Sequence, residues 1–115
     1  MAVFASKQIV MPVLSIAVTI TGTGDADYCY AIINGTKQYS AGTHEVNTGD
    51  TITFGVYGNR TKHGLVIIDG TQVLEASRFS TETYDWTVPS GISTIEIAMT
   101  PSSKTRPDKI TVTTA

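Results

Sequence analysis

Apolar and polar residues alternate in short stretches along the chain from residue 14 onward. In the first stretch, Leu14, Ile16, Val18 and Ile20 are separated by small or polar residues. A period of two places one set of side chains on one face, which is typical of a half-buried β-strand. The same pattern recurs at residues 28–33, 51–57, 83–88, 92–99 and 109–114. No stretch has a helical period, so the pattern predicts an all-β chain.

Turn residues separate these stretches. Asn34-Gly35 is the strongest hairpin signal, because a two-residue turn of this kind needs positive φ at both positions. Further turns are predicted at residues 22–25, 47–50, 69–70 and 89–91. The continuous apolar run at residues 65–68 predicts a strand buried on both faces, and Trp86 shares a face with Tyr84 and Val88 in the predicted core. Short strands at this spacing predict an antiparallel β-sandwich of about eight strands over residues 14–115.

Residues 1–13 form a separate N-terminal arm in this interpretation. The arm is rich in apolar side chains, among them Phe4, Ile9, Val10 and Met11, and Pro12 keeps the backbone extended before the first strand. Lys7 lies in the middle of the apolar part, which is unlike an export signal. Two alternatives stay open: the arm forms an extra strand or covers an edge of its own domain, or it reaches a neighbouring subunit and bonds to an open edge there.

Charge and composition exclude several classes of protein. The charged fraction is 16% and the net charge is −2, whereas a nucleic-acid partner requires clustered Lys and Arg. No apolar run is long enough to cross a membrane. Cys29 is the single cysteine, which excludes an intramolecular disulfide, and it is predicted to be a small buried side chain. Arg60 and Lys62 lie in a basic loop, which is either merely solvated or docks onto an acidic protein surface.

Catalytic and metal-binding patterns are absent from the sequence. His44 and His63 have no metal-ligand spacing and are expected in solvated loops. No Gly-x-Ser-x-Gly motif is present. Asp25 and Asp27 lie in a glycine-rich segment and predict a turn rather than a calcium site. We therefore expect no enzymatic activity, no metal and no cofactor.

Three segments resemble immunoglobulin-like domains of bacteria and phages: Glu45-Val-Asn-Thr-Gly-Asp-Thr-Ile-Thr-Phe54, Val66-Ile-Ile-Asp-Gly70 and Tyr84-Asp-Trp-Thr-Val-Pro89. In such domains a Gly-Asp-Thr turn commonly precedes a core strand. Tyr84 precedes Trp86 by two residues, as a tyrosine-corner residue precedes the second core cysteine of antibody domains. This chain lacks that second cysteine, so the antibody disulfide is excluded. The resemblance implies an immunoglobulin-like sandwich over residues 14–115.

Two non-enzymatic functions follow as expectations. The first is a phage virion protein, a capsid decoration or other head or tail accessory protein, assembled in the host cytoplasm. Its partner would be a capsid or other virion protein, or further copies of itself, bound through Phe4, Ile9, Val10 and Met11 and through Arg60 and Lys62. The alternative is a bacterial cell-surface or carbohydrate-binding module, in which exposed rings such as Tyr39, Tyr57 or Trp86 stack on sugars.

Overall fold

A computed structural model describes residues 15–58, 64–100 and 108–115 of the chain. These residues contain ten β-strands and no helix. The strands are β1 (Ile16–Gly22), β2 (Cys29–Ile33), β3 (Thr36–Gln38), β4 (Gly42–Val46), β5 (Thr51–Tyr57), β6 (Gly64–Ile68), β7 (Thr71–Ala76), β8 (Thr81–Thr87), β9 (Thr94–Thr100) and β10 (Lys109–Thr114). The all-β prediction is confirmed. The described residues contain ten strands rather than about eight.

The strands form two sheets. One has six strands in the order β4-β1-β9-β10-β6-β7, and the other has four in the order β3-β2-β5-β8. The four-stranded sheet is antiparallel throughout. The six-stranded sheet is mixed, since β1 lies parallel to β9 and β10 lies parallel to β6. The predicted antiparallel arrangement is therefore corrected for this sheet. Strands this far apart in the chain are not joined by hairpins, so turn residues do not set their relative direction.

The core lies between the two sheets and follows the alternation in the sequence. In β1, Ile16, Val18 and Ile20 are buried, while Ala17 and Thr19 are exposed. The four-stranded sheet contributes a facing set of buried side chains: Cys29, Ala31, Ile33, Ile52, Phe54 and Val56. Strands β9 and β10 add Ile95, Ile97, Met99, Ile110 and Val112. Each of the larger side chains stabilises the fold by roughly 1.5–3 kcal/mol on burial.

Strand β6 departs from its prediction. Val66 and Ile68 are buried, but Leu65 and Ile67 on the opposite face are only half-buried. The strand is internal to its sheet, between β10 and β7. No described strand covers its second face, so the continuous apolar run corresponds to a position inside the sheet and not to full burial on both faces.

Two hairpins are closed by the same kind of tight turn. Asn34 and Gly35 have φ of 52° and 77°, and Asp69 and Gly70 have φ of 48° and 83°. Positive φ at both central residues defines the type I′ turn that suits the twist of a hairpin. Both turn predictions are confirmed. The second turn also anchors the last strand, because the Asp69 carboxylate accepts bonds from Thr114 N at 2.8 Å and Thr114 Oγ1 at 2.7 Å. These bonds lower the pKa of Asp69 below its usual value.

Trp86 is half-buried, not fully buried as predicted. Its side chain packs against the core, with its ring centroid 6.2 Å from that of Phe54. The residue lies in β8, and among the described residues β8 pairs only with β5. A side chain on the inner face of an edge strand is covered from one side only. The alternation correctly indicated which way Trp86 points, but not how deeply it is buried.

The first prediction concerns the Asn34-Gly35 turn. A Cβ on Gly35 would meet nothing within 4 Å, so the cost of a side chain there comes from the backbone alone. We expect Gly35→Val to lower the free energy of unfolding by more than about 1 kcal/mol. Gly42→Val is the matched control, because Gly42 lies in a strand without positive φ and has room for a Cβ. Equal denaturation midpoints for the two variants would contradict the turn assignment.

The second prediction compares two aromatic residues of the core. Phe54 is fully buried, so Phe54→Ala should cost about 3–5 kcal/mol of stability. Trp86→Ala should cost about half as much, since less area returns to water. Urea denaturation measures both values. The tryptophan emission maximum of the native protein should lie at shorter wavelength than that of free tryptophan in water; emission like that of the free amino acid would show that Trp86 is not packed against the core.

Candidate interaction surfaces

The six binding residues predicted from the sequence lie outside the described residues. Phe4, Ile9, Val10 and Met11 belong to residues 1–14, and Arg60 and Lys62 belong to residues 59–63. The described part shows where the first strand begins. Ile16 pairs with Val46 next to the turn at residues 47–50. Ala17 N donates to Ser93 O at 3.2 Å, and Ser93 N donates to the Ala115 carbonyl at 2.8 Å. Strand β1 therefore starts at the end of the sandwich that also holds the C-terminus.

The edges of the sandwich differ in how they are covered. Strand β4 ends one sheet, and its Glu45 carbonyl accepts a bond at 3.0 Å from Asn34 Nδ2 in the first hairpin turn. At the opposite side, β7 and β8 end their sheets within the described part of the chain. Four half-buried side chains lie along this β7–β8 side: Val73, Leu74, Tyr84 and Trp86. This side combines apolar side chains with the backbone groups of edge strands, which are features of a β-augmentation surface.

The outer face of the four-stranded sheet carries a cluster of tyrosines. Tyr28 and Tyr57 lie in contact, with ring centroids 4.8 Å apart and an interplanar angle of 53°. Tyr30 lies next to them and is buried, yet it does not belong to the core cluster. Tyr39 follows β3 at the border of this face and is 42% exposed, and Tyr28 is 46% exposed. We call Tyr28, Tyr30, Tyr39 and Tyr57 the tyrosine face; they are four of the five tyrosines in the chain.

Gly55 shapes the centre of this face. It pairs with Tyr30 on one side and Thr83 on the other. A Cβ on Gly55 would lie 2.3 Å from Tyr30 Cζ, so the Tyr30 ring lies directly across the glycine. Lys37 Nζ lies 4.2 Å from the centroid of the same ring, within the range of a cation–π contact. The absence of a side chain at Gly55 thus lets an aromatic ring lie flat on the sheet.

Polar groups border the tyrosine face on β8. Thr81, Thr83 and Asp85 are exposed and pair with Tyr57, Gly55 and Thr53 respectively. Thr53 Oγ1 donates to Asp85 Oδ1 at 2.7 Å. The outer face of this sheet therefore presents aromatic rings on one half and hydroxyl groups on the other.

Cys29 and Asp108 are buried together beneath the strand ends. Cys29 is fully buried, as predicted. Burial raises the pKa of its thiol to about 12, and the negative charge of Asp108 adds to the shift. Asp108 Oδ2 accepts a bond from Tyr57 N at 3.1 Å, and its carbonyl accepts one from Leu65 N at 3.0 Å. Asp108 thus ties β5 and β6 to the start of β10. The sequence offered no clear signal for this buried acid.

The other residues considered for chemistry have structural positions. Asp25 Oδ1 accepts a bond from Asp27 N at 2.8 Å, which confirms the predicted turn. His44 lies half-buried in β4 and not in a solvated loop, because the edge strand extends further than its short pattern indicated. No group of three or more His, Cys, Asp or Glu side chains within residues 15–58, 64–100 and 108–115 is arranged to hold a metal ion.

No helix that is long and apolar enough to span a membrane is present among the described residues.

Comparison of the chain with protein-family models, curated proteins and solved structures gives no match.

The tyrosine face was not predicted as a cluster. Tyr39 and Tyr57 were considered separately as exposed rings, and Tyr28 and Tyr30 only as residues of a strand. The sequence did contain one indication of this cluster. Tyr28 and Tyr30 are two residues apart, and residues with this spacing lie on the same side of an extended chain. Which face that is, and which strand lies beside it, depends on the pairing of β2 with β5.

The third prediction concerns the reactivity of Cys29. A thiol with a pKa near 12 and no exposed surface carries almost no thiolate at pH 8. We expect no labelling by a thiol reagent in the native protein and complete labelling in denaturant, followed by mass spectrometry. Rapid labelling of the native protein at pH 8 would show that the site opens, and would contradict its place in the core.

Proposed function

We propose that this chain is a non-enzymatic phage virion protein, a capsid decoration or other head or tail accessory protein, built on an immunoglobulin-like sandwich. The observation that supports this most is the composition of the core. Among the described residues, the buried members of the core run from Ile16 to Val112 and form an apolar layer between the two sheets. In this proposal the apolar side chains of the arm contact another molecule.

The resemblance to phage immunoglobulin-like domains is supported by local features. The turn at residues 47–50 is held by Asp50, whose Oδ2 accepts a bond from Asn47 N at 2.9 Å. It leads directly into β5, which carries the core residues Ile52 and Phe54. Strand β8 directs Tyr84 and Trp86 inward against the same core. These features lie in two of the three segments on which the resemblance depends.

The arm is long enough to act between molecules. Thirteen extended residues span up to about 45 Å, whereas six strands are about 24 Å across from the first to the last. Phe4, Ile9, Val10 and Met11 would be an aggregation liability if they were left in water. Contact with a neighbouring virion subunit removes them from water and stabilises the assembly.

On a second copy of this chain, the β7–β8 side is the surface best suited to receive the arm. It offers half-buried apolar side chains, Leu74 and Trp86 among them, beside the backbone groups of edge strands. Main-chain bonding of this kind gives affinity, and the apolar side chains give specificity. Arg60 and Lys62 would add electrostatic contacts to an acidic partner surface.

The composition agrees with a role in a shell. Nineteen threonines and a charged fraction of 16% give strands with stiff β-branched side chains and few charges. We place the protein in the virion, after assembly in the host cytoplasm.

The alternative function, a bacterial cell-surface or carbohydrate-binding module, is affected in two ways by the structure. Trp86 packs against the core, which removes it as an exposed stacking ring. Tyr57 lies on the outer side of the four-stranded sheet, where its ring contacts that of Tyr28. Tyr39 is also exposed. The tyrosine face therefore favours sugar binding, and such binding is compatible with a place in a virion.

The fourth prediction tests the arm. Deleting residues 1–11 should leave a folded domain, because the described strands already pack an apolar layer between two sheets. We expect a melting temperature within a few degrees of the full chain, together with loss of self-association or of binding to capsids in sedimentation experiments. Lys7→Ala is the control within the arm and should change neither property, since Lys7 is not one of its apolar side chains.

Two outcomes would contradict this function for the arm. Unfolding of the truncated protein would mean that residues 1–11 are part of the fold. Unchanged association would mean that the partner is held elsewhere, and Arg60→Ala with Lys62→Ala would then test the basic loop.

A further inference from the structure

We infer that the tyrosine face binds a neutral carbohydrate. This activity goes beyond the proposed virion function and does not depend on the N-terminal arm. The inference rests on a surface where neighbouring strands bring aromatic rings and hydroxyl groups together. Tyr28 lies beside Tyr57, Tyr30 lies across Gly55, and β8 adds Thr81 and Thr83.

The aromatic half of the face suits the apolar side of a sugar ring. The face of an aromatic ring carries partial negative charge, and the C–H groups of a pyranose carry partial positive charge, so the two attract when stacked. Tyr28 is 46% exposed although its ring contacts Tyr57. Tyr39 is 42% exposed and follows Gln38, the partner of Ala31, so the register of β2 and β3 continued by one residue places it opposite Tyr30. Tyr30 itself is buried and has Lys37 over its ring, so the rings open to a ligand are those of Tyr28 and Tyr39.

The polar half of the face suits sugar hydroxyl groups. Tyrosine and threonine hydroxyls both donate and accept hydrogen bonds, as sugar hydroxyls do. Thr81 and Thr83 are exposed and are the cross-strand partners of Tyr57 and Gly55. A ligand that stacks on the rings would place its edge beside these hydroxyls, where a few polar contacts determine orientation.

The charges on this face favour a neutral ligand. Among the residues of its four strands, Lys37 and Asp85 are the two outward-facing charged side chains, one of each sign. Lys37 already lies over the Tyr30 ring, and Asp85 already accepts a bond from Thr53. Among the described residues of these four strands the two outward-facing charges are both engaged and sum to zero, which favours a neutral ligand over an acidic one.

The size of the face favours a small ligand over a protein. Four strands of at most seven residues cover a projected area of about 450 Å², and the shorter β2 and β3 reduce it further. A stable protein interface buries about 800 Å² on each partner. The face is therefore too small for a complete protein interface, but it matches two or three sugar rings in a row.

The experiment uses the full chain. A broad array of neutral and acidic glycans identifies the best neutral oligosaccharide, which is then titrated calorimetrically. The Tyr28→Ala/Tyr39→Ala double variant should bind it at least about tenfold more weakly, because it loses both exposed rings on which the sugar stacks. Tyr28→Phe should bind within about threefold of the wild type, because it keeps the ring.

Phe79→Ala is the matched control. Phe79 is 61% exposed and lies in the loop before β8, outside the strand rows of the face, so its removal should leave affinity unchanged. The melting temperatures of all variants should match that of the wild type, because the mutated rings are exposed. Tyr28→Ala alone serves as a second variant if the double variant is less stable.

Three results would overturn the inference. They are binding to no neutral glycan on the array, binding that is unchanged in the double variant, and binding confined to acidic glycans that salt abolishes. Loss of self-association or capsid binding in the double variant, without any glycan binding by the wild type, would make the face a protein contact instead. The arm deletion distinguishes the two proposals, since it should abolish association while leaving glycan affinity intact.

Discussion

The apolar layer between the two sheets determines the position of every other feature of this domain. Phe54 and Ile52 from the four-stranded sheet meet Val18, Ile97 and Ile110 from the six-stranded sheet in one buried cluster. A strand has only two faces, so committing one of them to this layer directs the neighbouring residues outward. Tyr30 lies on the outer face because Cys29 and Ala31 lie on the inner one. The tyrosine face is a geometric consequence of the core.

Edges are the second consequence of a sandwich built from open sheets. An edge strand presents unpaired backbone groups and half-covered side chains, and proteins protect such strands or use them. Here the β4 edge is engaged by the Asn34 side chain. The β7–β8 side keeps Leu74 and Trp86 half-buried. Within the described residues the two sides of the sandwich therefore differ: a side chain bonds to the β4 edge, whereas half-buried apolar side chains lie along β7 and β8.

The start of the described chain and the tyrosine face belong to different sheets. Strand β1 begins beside the C-terminus and the turn at residues 47–50. The tyrosine face covers the outer side of the four-stranded sheet, whereas β1 belongs to the six-stranded sheet. We therefore propose attachment to a particle and recognition of a sugar as separate functions of one small domain.

Local sequence determined the elements of this protein but not their arrangement. Alternation indicated the strands and which side chains face inward, and Asn34-Gly35 and Asp69-Gly70 indicated their turns, because strand period and turn conformation depend on neighbouring residues alone. The parallel pairing of β1 with β9, the half-exposure of Trp86 and the burial of Asp108 depend on strands distant in the chain. The same holds for the tyrosine face: Tyr28 and Tyr57 are brought together by the pairing of β2 with β5. Such contacts are decided by which strands share a sheet and where that sheet ends, and only the tertiary structure specifies this.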